Sequence, residues 1–234
     1  MEFKTLGSGT FPLVTISLDR GDSVQIESGA MVYHNGGVEL SGRMNANGAK
    51  GLGGMLKAAA RRMTSGESFF ITTASGTAQG GELGIAPGNP GAIQALELHD
   101  DSQWCLNTGA FLAGDATTSY QMIRQHVGKA LFGGTGGLFI MQTSGTGTML
   151  VSAYGDLLAI DLDGSRDYVI DNTHVVAWQT SLQYSIEVAS GTFGFTTGEG
   201  LVNRFTGRGR VYIQTRNIEA LAGLVQSYIA TKQS

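Results

Sequence analysis

Residues 25–32 read QIESGAMV, residues 105–112 read CLNTGAFL, and residues 169–176 read VIDNTHVV. Each segment joins two short apolar runs through a turn, which is the pattern of two strands connected by a tight loop. The first two segments have a glycine in the turn, Gly29 and Gly109, and the third has Thr173 there. Similar segments in the same order along one chain are typical of internal repeats.

A second shared shape follows each of these segments. Residues 67–77 read ESFFITTASGT, residues 137–146 read GLFIMQTSGT, and residues 210–215 read RVYIQT. The two markers together favour three repeats of roughly 70 residues over a chance alignment of short apolar runs. We expect one domain over residues 1–234, with repeats near 1–90, 91–155 and 156–216 and a C-terminal helix and tail over 217–234. A single repeat would leave an apolar face open, so the repeats should pack on one another.

The composition is typical of a β protein rich in turns. The chain has 234 residues with 36 Gly and 3 Pro, and 41% of its residues are hydrophobic and 15% charged. Glycine supplies the positive φ angles that hairpins and bulges need. The apolar content and low charge exclude a disordered chain, and the lack of a Gly-X-Y period excludes collagen. We predict an all-β fold of three pseudo-symmetric, sandwich-like repeats.

Two segments have the apolar spacing of a helix. Leu52, Met55, Leu56, Ala59 and Met63 form one apolar stripe, which predicts a short helix near 51–63. Near the C-terminus, Asn217 is a good N-cap, and apolar residues follow it at helical spacing, which predicts a helix near 217–231. The pattern over 116–130 is ambiguous.

Charge and cysteine content indicate a reducing compartment and no general attraction to polyanions. The net charge is −4, and Cys105 is the one cysteine, within an apolar run typical of a buried structural thiol. The N-terminus has no signal-peptide pattern, and the uncharged run 130–155 has too many glycines for a spanning helix. We expect a cytoplasmic location, with peripheral membrane association left open.

Several motifs carry a family resemblance. They are SGAMV (28–32), GESFF (66–70), GAFLA (109–113), SGTG (144–147) leading into VSAYG (151–155), DNTHVVAW (171–178), GEGL (198–201) and TGRGRVYIQTR (206–216). Together they resemble the AIM24 family over about residues 20–222, although the sequence departs from the family pattern at 115–130, where residues 115–120 carry no feature of it.

The resemblance implies a fold similar to that of the tryptophan RNA-binding attenuation protein, in which β-sandwich repeats assemble around an axis. Bacterial members of the family have no settled biochemical activity. Mitochondrial members are linked to inner-membrane organisation and respiratory-complex integrity. The family supplies no catalytic residues to carry over.

The sequence lacks the common catalytic signatures. It contains no P-loop, no Gly-x-Gly-x-x-Gly after a strand and no Gly-x-Ser-x-Gly elbow. His34 and His174 follow equivalent turns and could approach one axis, but polar or capping roles are favoured over a metal site. Residues 161–164 read DLDG and indicate a β-turn rather than a calcium loop, because the EF-hand pattern fails. We predict no cofactor and no metal.

Charged residues are unevenly placed. Residues 156–171 are acidic, whereas the arginines Arg204, Arg208, Arg210 and Arg216 lie in a run without acids, so the two patches could pair within the chain or between subunits. A second basic group, Lys57, Arg61 and Arg62, lies on the helix expected near 51–63, where a solvated face is favoured over contact with a membrane or partner.

Three functional hypotheses follow. The favoured one is a non-enzymatic scaffold or interaction protein, a homo-oligomer and specifically a trimer, because repeats leave exposed edges that assembly would cover. It includes peripheral membrane attachment as an option. The first alternative is an RNA or nucleic-acid-binding module that uses the arginine-rich edge at 204–216. The second is an enzyme whose site lies between subunits and is invisible in the sequence.

Overall fold

The computed structural model describes residues 1–7, 9–44, 70–107, 109–125, 139–189 and 200–229. Over these residues the chain forms nineteen strands and one α-helix. The first third contributes β1 (Glu2–Leu6), β2 (Leu13–Leu18), β3 (Ser23–Glu27), β4 (Met31–His34), β5 (Val38–Met44), β6 (Phe70–Gly76) and β7 (Gly81–Ile85). The middle third contributes β8 (Ile93–Leu98), β9 (Trp104–Asn107), β10 (Phe111–Asp115), β11 (Thr118–Arg124), β12 (Phe139–Gly145) and β13 (Gly147–Ser152).

The last third contributes β14 (Leu157–Asp163), β15 (Tyr168–Asp171), β16 (Val175–Gln179), β17 (Gln183–Val188), β18 (Leu201–Thr206) and β19 (Arg208–Gln214). A one-turn 3-10 helix, Asn172–His174, joins β15 to β16, and helix α1 (Ile218–Tyr228) follows β19. No helix in the described part of the chain is long and apolar enough to cross a membrane.

The strands form four sheets in which every pair of neighbours is antiparallel. The first sheet has the order β1-β2-β7-β4, and the second has the order β5-β6-β3-β10-β13-β8. The third sheet has the order β11-β12-β9-β16-β19-β14, and the fourth has the order β15-β18-β17.

One pairing order recurs three times. We call β2–β7 unit 1, β8–β13 unit 2 and β14–β19 unit 3. In each unit the first, last and third strands lie side by side, as in β2-β7-β4, and the second, fifth and fourth strands form the other group, as in β3-β6-β5. The second strand of one unit then pairs with the third strand of the next, which joins β3 to β10 and β9 to β16. Units 1 to 3 are thereby linked in a row.

The third strand of every unit has a bulge against the last strand at the same place. The register shifts between Met31 and Tyr33 in β4, between Phe111 and Ala113 in β10, and between Val175 and Ala177 in β16. This feature fixes which residues of the three units correspond. Val32, Leu112 and Val176 are the three bulged positions.

Three apolar cores lie between successive sheets, and each contains side chains from more than one unit. Core 1 includes Ile16 and Ile26 of unit 1 with Leu112 of unit 2. Core 2 includes Leu106 of unit 2 with Val176 of unit 3. Core 3 includes the following residues, of which the first two come from unit 2: Cys105, Ile140, Leu162, Trp178, Phe205 and Val211. Each unit therefore completes the core of its neighbour.

The prediction of an all-β, sandwich-like fold is confirmed. The first sequence marker occupies matching places in the three units, since 25–32, 105–112 and 169–176 all run from the second strand into the third. The second marker is wrong in its third member. Phe70 and Phe139 begin the fifth strands β6 and β12, whereas Tyr212 lies in the last strand β19. The limits of the repeats stay a prediction.

The predicted C-terminal helix is confirmed over the described residues. The side chain of Asn217 accepts a hydrogen bond from the backbone N–H of Ala220 at 2.7 Å, as an N-cap does. Residues 230–231 and the helix expected near 51–63 lie outside the described residues. Part of the ambiguous stretch 116–130 is strand β11.

Candidate functional site

The two end strands of the row of units differ from their counterparts in having an unpaired edge. Within the described residues, β4 pairs with β7 on one side only, and β15 pairs with β18 on one side only. Their counterparts, the third strands β10 and β16 and the second strands β3 and β9, are paired on both sides. Unpaired backbone N–H and C=O groups on such an edge can accept another strand.

Apolar side chains are exposed at these two strands although buried residues occupy corresponding positions in other units. Val32 on β4 is 54% exposed, whereas Leu112 and Val176 are 0% and 2% exposed. Val169 on β15 is 50% exposed, whereas its counterparts are the buried Cys105 of unit 2 and the half-buried Gln25 of unit 1. The exposure arises because the neighbouring half-sheet is missing at each end. We call β4 and β15 the end strands and treat them as the main candidate site.

Hydrogen bonds fix the end of β4. The Oδ1 atom of Asn35 accepts from the backbone N–H groups of Gly37 and Glu82, and its Nδ2 atom donates to the carbonyl of Gly80. The hydroxyl of Tyr33 donates to Glu82 at 2.8 Å, and this bond raises the pKa of Tyr33. These bonds within the chain therefore hold the end of the strand in place.

The turn after β15 is also fixed. Asp171 Oδ1 accepts a hydrogen bond from the backbone N–H of Thr173 at 2.7 Å. At the matching position in unit 2, the Nδ2 atom of Asn107 donates to the carbonyls of Asn172 and Val175 in unit 3, at 3.0 and 2.8 Å. An amide at this position thus bridges two units.

Two of the four arginines in the arginine-rich edge are held in ion pairs within the chain. Arg210 donates to both carboxylate oxygens of Asp161, at 2.6 and 2.8 Å, and this lowers the pKa of Asp161. Arg204 donates to Glu187 at 3.1 Å and lowers its pKa, and it lies 3.7 Å from Asp167. The acidic and basic runs thus meet inside unit 3.

The remaining basic candidates are exposed or lie outside the described residues. The guanidinium of Arg216 donates to the carbonyl of Thr215, and Arg208 is exposed at the start of β19. Lys57, Arg61 and Arg62 lie outside the described residues, so the structure does not place them.

Helix α1 presents an apolar surface. None of its residues is buried, and the apolar positions predicted from spacing are exposed to solvent. The exposed apolar residues are Ile218, Leu221, Leu224, Val225, Tyr228 and, just after the helix, Ile229. Glu219 is the one charged residue between 218 and 228, so the polar face of the helix has no cation.

A cavity of about 280 Å³ lies where units 2 and 3 meet, next to the first turn of α1. Its wall combines apolar groups such as Val176 and Ile186 with the amides of Asn107 and Gln214. These amide groups are bonded within the protein, because Asn107 bridges to unit 3 and Gln214 Nε2 donates to the carbonyl of Thr173. Both amides are therefore engaged within the protein.

His34 and His174 do not occupy corresponding positions in their units. His34 lies at the end of β4 and accepts from the N–H of Gly36 through Nδ1. His174 lies in the 3-10 turn, with Nδ1 2.7 Å from the carbonyl oxygen of Gln214 and Nε2 3.1 Å from Nδ2 of Asn217. Within the described ranges, no three His, Cys, Asp or Glu side chains are grouped as metal ligands.

Cys105 and the acidic turn behave as ordinary structural elements. Cys105 is buried in core 3, and burial raises the pKa of its thiol to about 11, which makes it a poor nucleophile. Asp163 accepts from the N–H of Ser165, and Gly164 has φ +83°, as in a tight turn. Asp161 lies in β14 and points to Arg210.

Sequence reasoning expected exposed edges but did not identify the end strands. Val32 and Val169 are as apolar as their buried counterparts, so no local pattern marks them as exposed. The signal is present only once the three units are aligned and the pairing order is known.

Comparison with known proteins gives one family. The family model described as mitochondrial biogenesis AIM24 matches residues 3–216. An uncharacterized protein of Streptococcus pyogenes serotype M6 is 47% identical over 235 residues, which cover 100% of this chain and 93% of that protein. A Streptococcus pyogenes protein with a crystal structure from a structural genomics consortium has a TM-score of 0.80 and 44% identity over 97% of this chain and 99% of that chain.

Proposed function

This chain belongs to the AIM24 family, and on that premise we propose that it is a non-enzymatic scaffold or interaction protein that works as a homo-oligomer, specifically a trimer. The observation that carries the proposal is the pair of end strands. Val32 is half exposed at a position that is buried in units 2 and 3, and Val169 is half exposed where its counterpart Cys105 in unit 2 is buried. A partner that supplies the missing neighbour would bury this apolar surface and pair the open backbone.

A second copy of the chain is the simplest source of that neighbour. We infer that the three units are copies of one structural repeat, because they share a pairing order and the position of a bulge. A row of such repeats ends in two different edges, and each edge is complementary to the other. Contacts between two different edges are heterologous, and they close into a ring when the rotation between copies allows it.

Native mass spectrometry of the gently purified protein tests this proposal. The expected result is a species with three times the chain mass, and light scattering should give the same mass in solution. A chain that remains monomeric at micromolar concentration by both methods would overturn the homo-oligomer. The same spectrum would show a retained lipid, nucleotide or metal as extra mass and would then support an enzyme or ligand-binding role instead.

Helix α1 supports the part of the proposal that concerns peripheral membrane attachment. Its exposed residues Leu221, Leu224 and Val225 form an apolar face of the kind that lies in a bilayer interface. Its polar face has no Lys or Arg, so this attachment would depend on apolar insertion, whereas Lys57, Arg61 and Arg62 would depend on anionic lipid.

Vesicle flotation separates the two modes. Binding to neutral vesicles that is lost on Leu224→Asp supports α1. Binding only to anionic vesicles that is lost on Lys57/Arg61/Arg62→Ala supports the basic group. Absence of binding to both vesicle types would overturn membrane attachment and leave the scaffold proposal intact.

The nucleic-acid alternative receives less support. Single-strand binders need free cations beside exposed aromatic rings. Arg204 and Arg210 are instead engaged with carboxylates. A salt-dependent mobility shift with single-stranded RNA would favour this alternative, and the Arg208/Arg216→Ala variant should then abolish the shift.

A further inference from the structure

We propose that β4 of one copy pairs antiparallel with β15 of the next copy, with Tyr33 opposite Ile170 and His34 opposite Val169. This inference rests on the proposed homo-oligomer and specifies its interface. It states which strand meets which, in which direction and in which register.

The register follows from the two junctions inside the chain. Between units 1 and 2, Ala113 of β10 lies opposite Ile26 of β3. Between units 2 and 3, Ala177 of β16 lies opposite Leu106 of β9. The bulge makes Tyr33 the counterpart of both alanines.

The position of Ile170 follows in the same way. Ile26 lies one residue before the end of β3, and Leu106 and Ile170 lie one residue before the ends of β9 and β15. At both internal junctions this residue is the partner of the first residue after the bulge. The same rule applied between copies places Ile170 opposite Tyr33.

The exposed side chains would then enter cores that lack them. Leu112 of unit 2 fills core 1, and Val176 of unit 3 fills core 2. Val32 is the corresponding residue, so it would fill core 3 of the preceding copy. In the opposite direction, Cys105 of unit 2 enters core 3, and Val169 would enter core 1 of the next copy.

Self-pairing of identical strands fits the observations less well. At both internal junctions a second strand meets a third strand. Two β4 strands in contact would leave β15 open with Val169 exposed. Pairing of β4 with β15 covers both edges with one kind of contact. When the rotation between copies allows it, repeating that contact closes a ring without an exposed end strand.

Engineered disulfides test the register. The Cα atoms of directly opposed residues in an antiparallel pair are about 4.5–5.5 Å apart, which is within the range for a disulfide. The double variant His34→Cys/Val169→Cys should form intermolecular disulfides on mild oxidation. A non-reducing gel should show covalent dimer and then covalent trimer, with no larger species. Reductant should return the monomer.

Matched variants make the test specific. In the double variant His34→Cys/Asp171→Cys, the second cysteine lies two residues beyond position 169, about 6.6 Å along β15. This variant should therefore cross-link much less. His34→Cys alone should not cross-link to itself, whereas a mixture of His34→Cys and Val169→Cys chains should give dimers that contain one chain of each. The parent chain, with buried Cys105, should stay monomeric on the gel.

The two proposals fail in different ways. A monomer in native mass spectrometry overturns the homo-oligomer and this interface with it. An oligomer that cross-links no better through the 34–169 pair than through the 34–171 pair overturns this interface and leaves the homo-oligomer standing. Cross-linking of His34→Cys alone would show that identical strands pair and would also overturn it.

Discussion

Trp178 and Phe205 pack edge to face across core 3, with ring centroids 5.6 Å apart and planes at 62°. Trp178 belongs to the third sheet and Phe205 to the fourth, so this contact joins the last sheet to the rest of the protein. Both side chains are fully buried. Tyr184 of the same three-stranded fourth sheet adds a second edge contact to Trp178, with ring centroids 4.9 Å apart.

Phe205→Ala should lower the free energy of unfolding by about 3–5 kcal/mol, because it leaves a cavity in core 3. Urea unfolding at a fixed protein concentration measures this change. Phe11→Ala is the matched control, since Phe11 is 72% exposed, and its effect should stay within about 0.5 kcal/mol. Equal effects of the two substitutions would contradict the placement of Phe205.

Val32→Glu should dissociate the oligomer, because it places an unpaired carboxylate in the apolar contact between copies. We expect the dissociation constant to rise by at least about 100-fold, which corresponds to roughly 3 kcal/mol. Val169→Glu should do the same from the other end strand. Sedimentation velocity over a concentration series measures the constant.

Leu158→Glu is the control for these two substitutions. Leu158 is 50% exposed, as is Val169. It lies on β14, which is the outermost strand of the third sheet, just as β8 is the outermost strand of the second sheet. This variant should keep the oligomer intact. Dissociation by Leu158→Glu, with no effect of Val32→Glu, would place the interface elsewhere.

Asp171→Asn should strengthen the contact between copies. In unit 2, Asn107 occupies this position and donates to two carbonyls of the next unit. The corresponding carbonyls between copies are those of Ser28 and Met31. An aspartate cannot donate to them when ionised, whereas an asparagine can do so and can still accept from Thr173.

The expected gain is about three- to tenfold in affinity, as for one net hydrogen bond. Dilution experiments on parent and variant measure it. Asp100→Asn makes the same charge change at an exposed turn and should leave the affinity unchanged. Weaker assembly of the Asp171→Asn variant would be evidence against the bridging role.

Glu27→Gln should stabilise the folded chain near neutral pH. Glu27 ends β3 at the position of Asn107, and its burial raises the pKa of its carboxyl above the usual 4.5. A raised carboxyl pKa means that the folded state favours the protonated form of Glu27. The stability that the protonated carboxyl contributes is present below pH 4.5 and is lost as the pH rises through the folded-state pKa.

Thermal melts of the parent and Glu27→Gln should therefore differ at pH 7 and converge below pH 4.5. Glu39→Gln, on an exposed residue of β5, is the control and should show no such pH-dependent gap. A gap that widens as the pH is lowered would have the wrong sign for this explanation.

The sequence predicts the strand content well because alternation and β-branched residues are local signals. Residues 25–32, 105–112 and 169–176 could be aligned because their turns have similar spacing. The third member of the second marker failed for a physical reason. The strand that corresponds to β6 and β12 is β18, whose buried Asn203 and charged Arg204 conceal its likeness, whereas β19 resembles them more in composition.

The candidate site depends on which edge strand has a neighbour, and this property belongs to sheet order and not to composition. Val32 and Leu112 differ little in hydrophobicity, yet one is half exposed and the other fully buried. Ion pairing across the acidic and basic runs was foreseeable from charge. The particular partners, Asp161 with Arg210, depend on the register of β14 with β19.

The sharing of cores between units sets an order for folding during synthesis. Core 1 contains Leu112 of β10 and Leu150 of β13, so it stays incomplete on the ribosome until β13 has emerged. Core 2 likewise waits for Tyr212 in β19. Folding should then advance from the N-terminus one unit behind translation, and under the proposed interface another molecule supplies the last residue of the series.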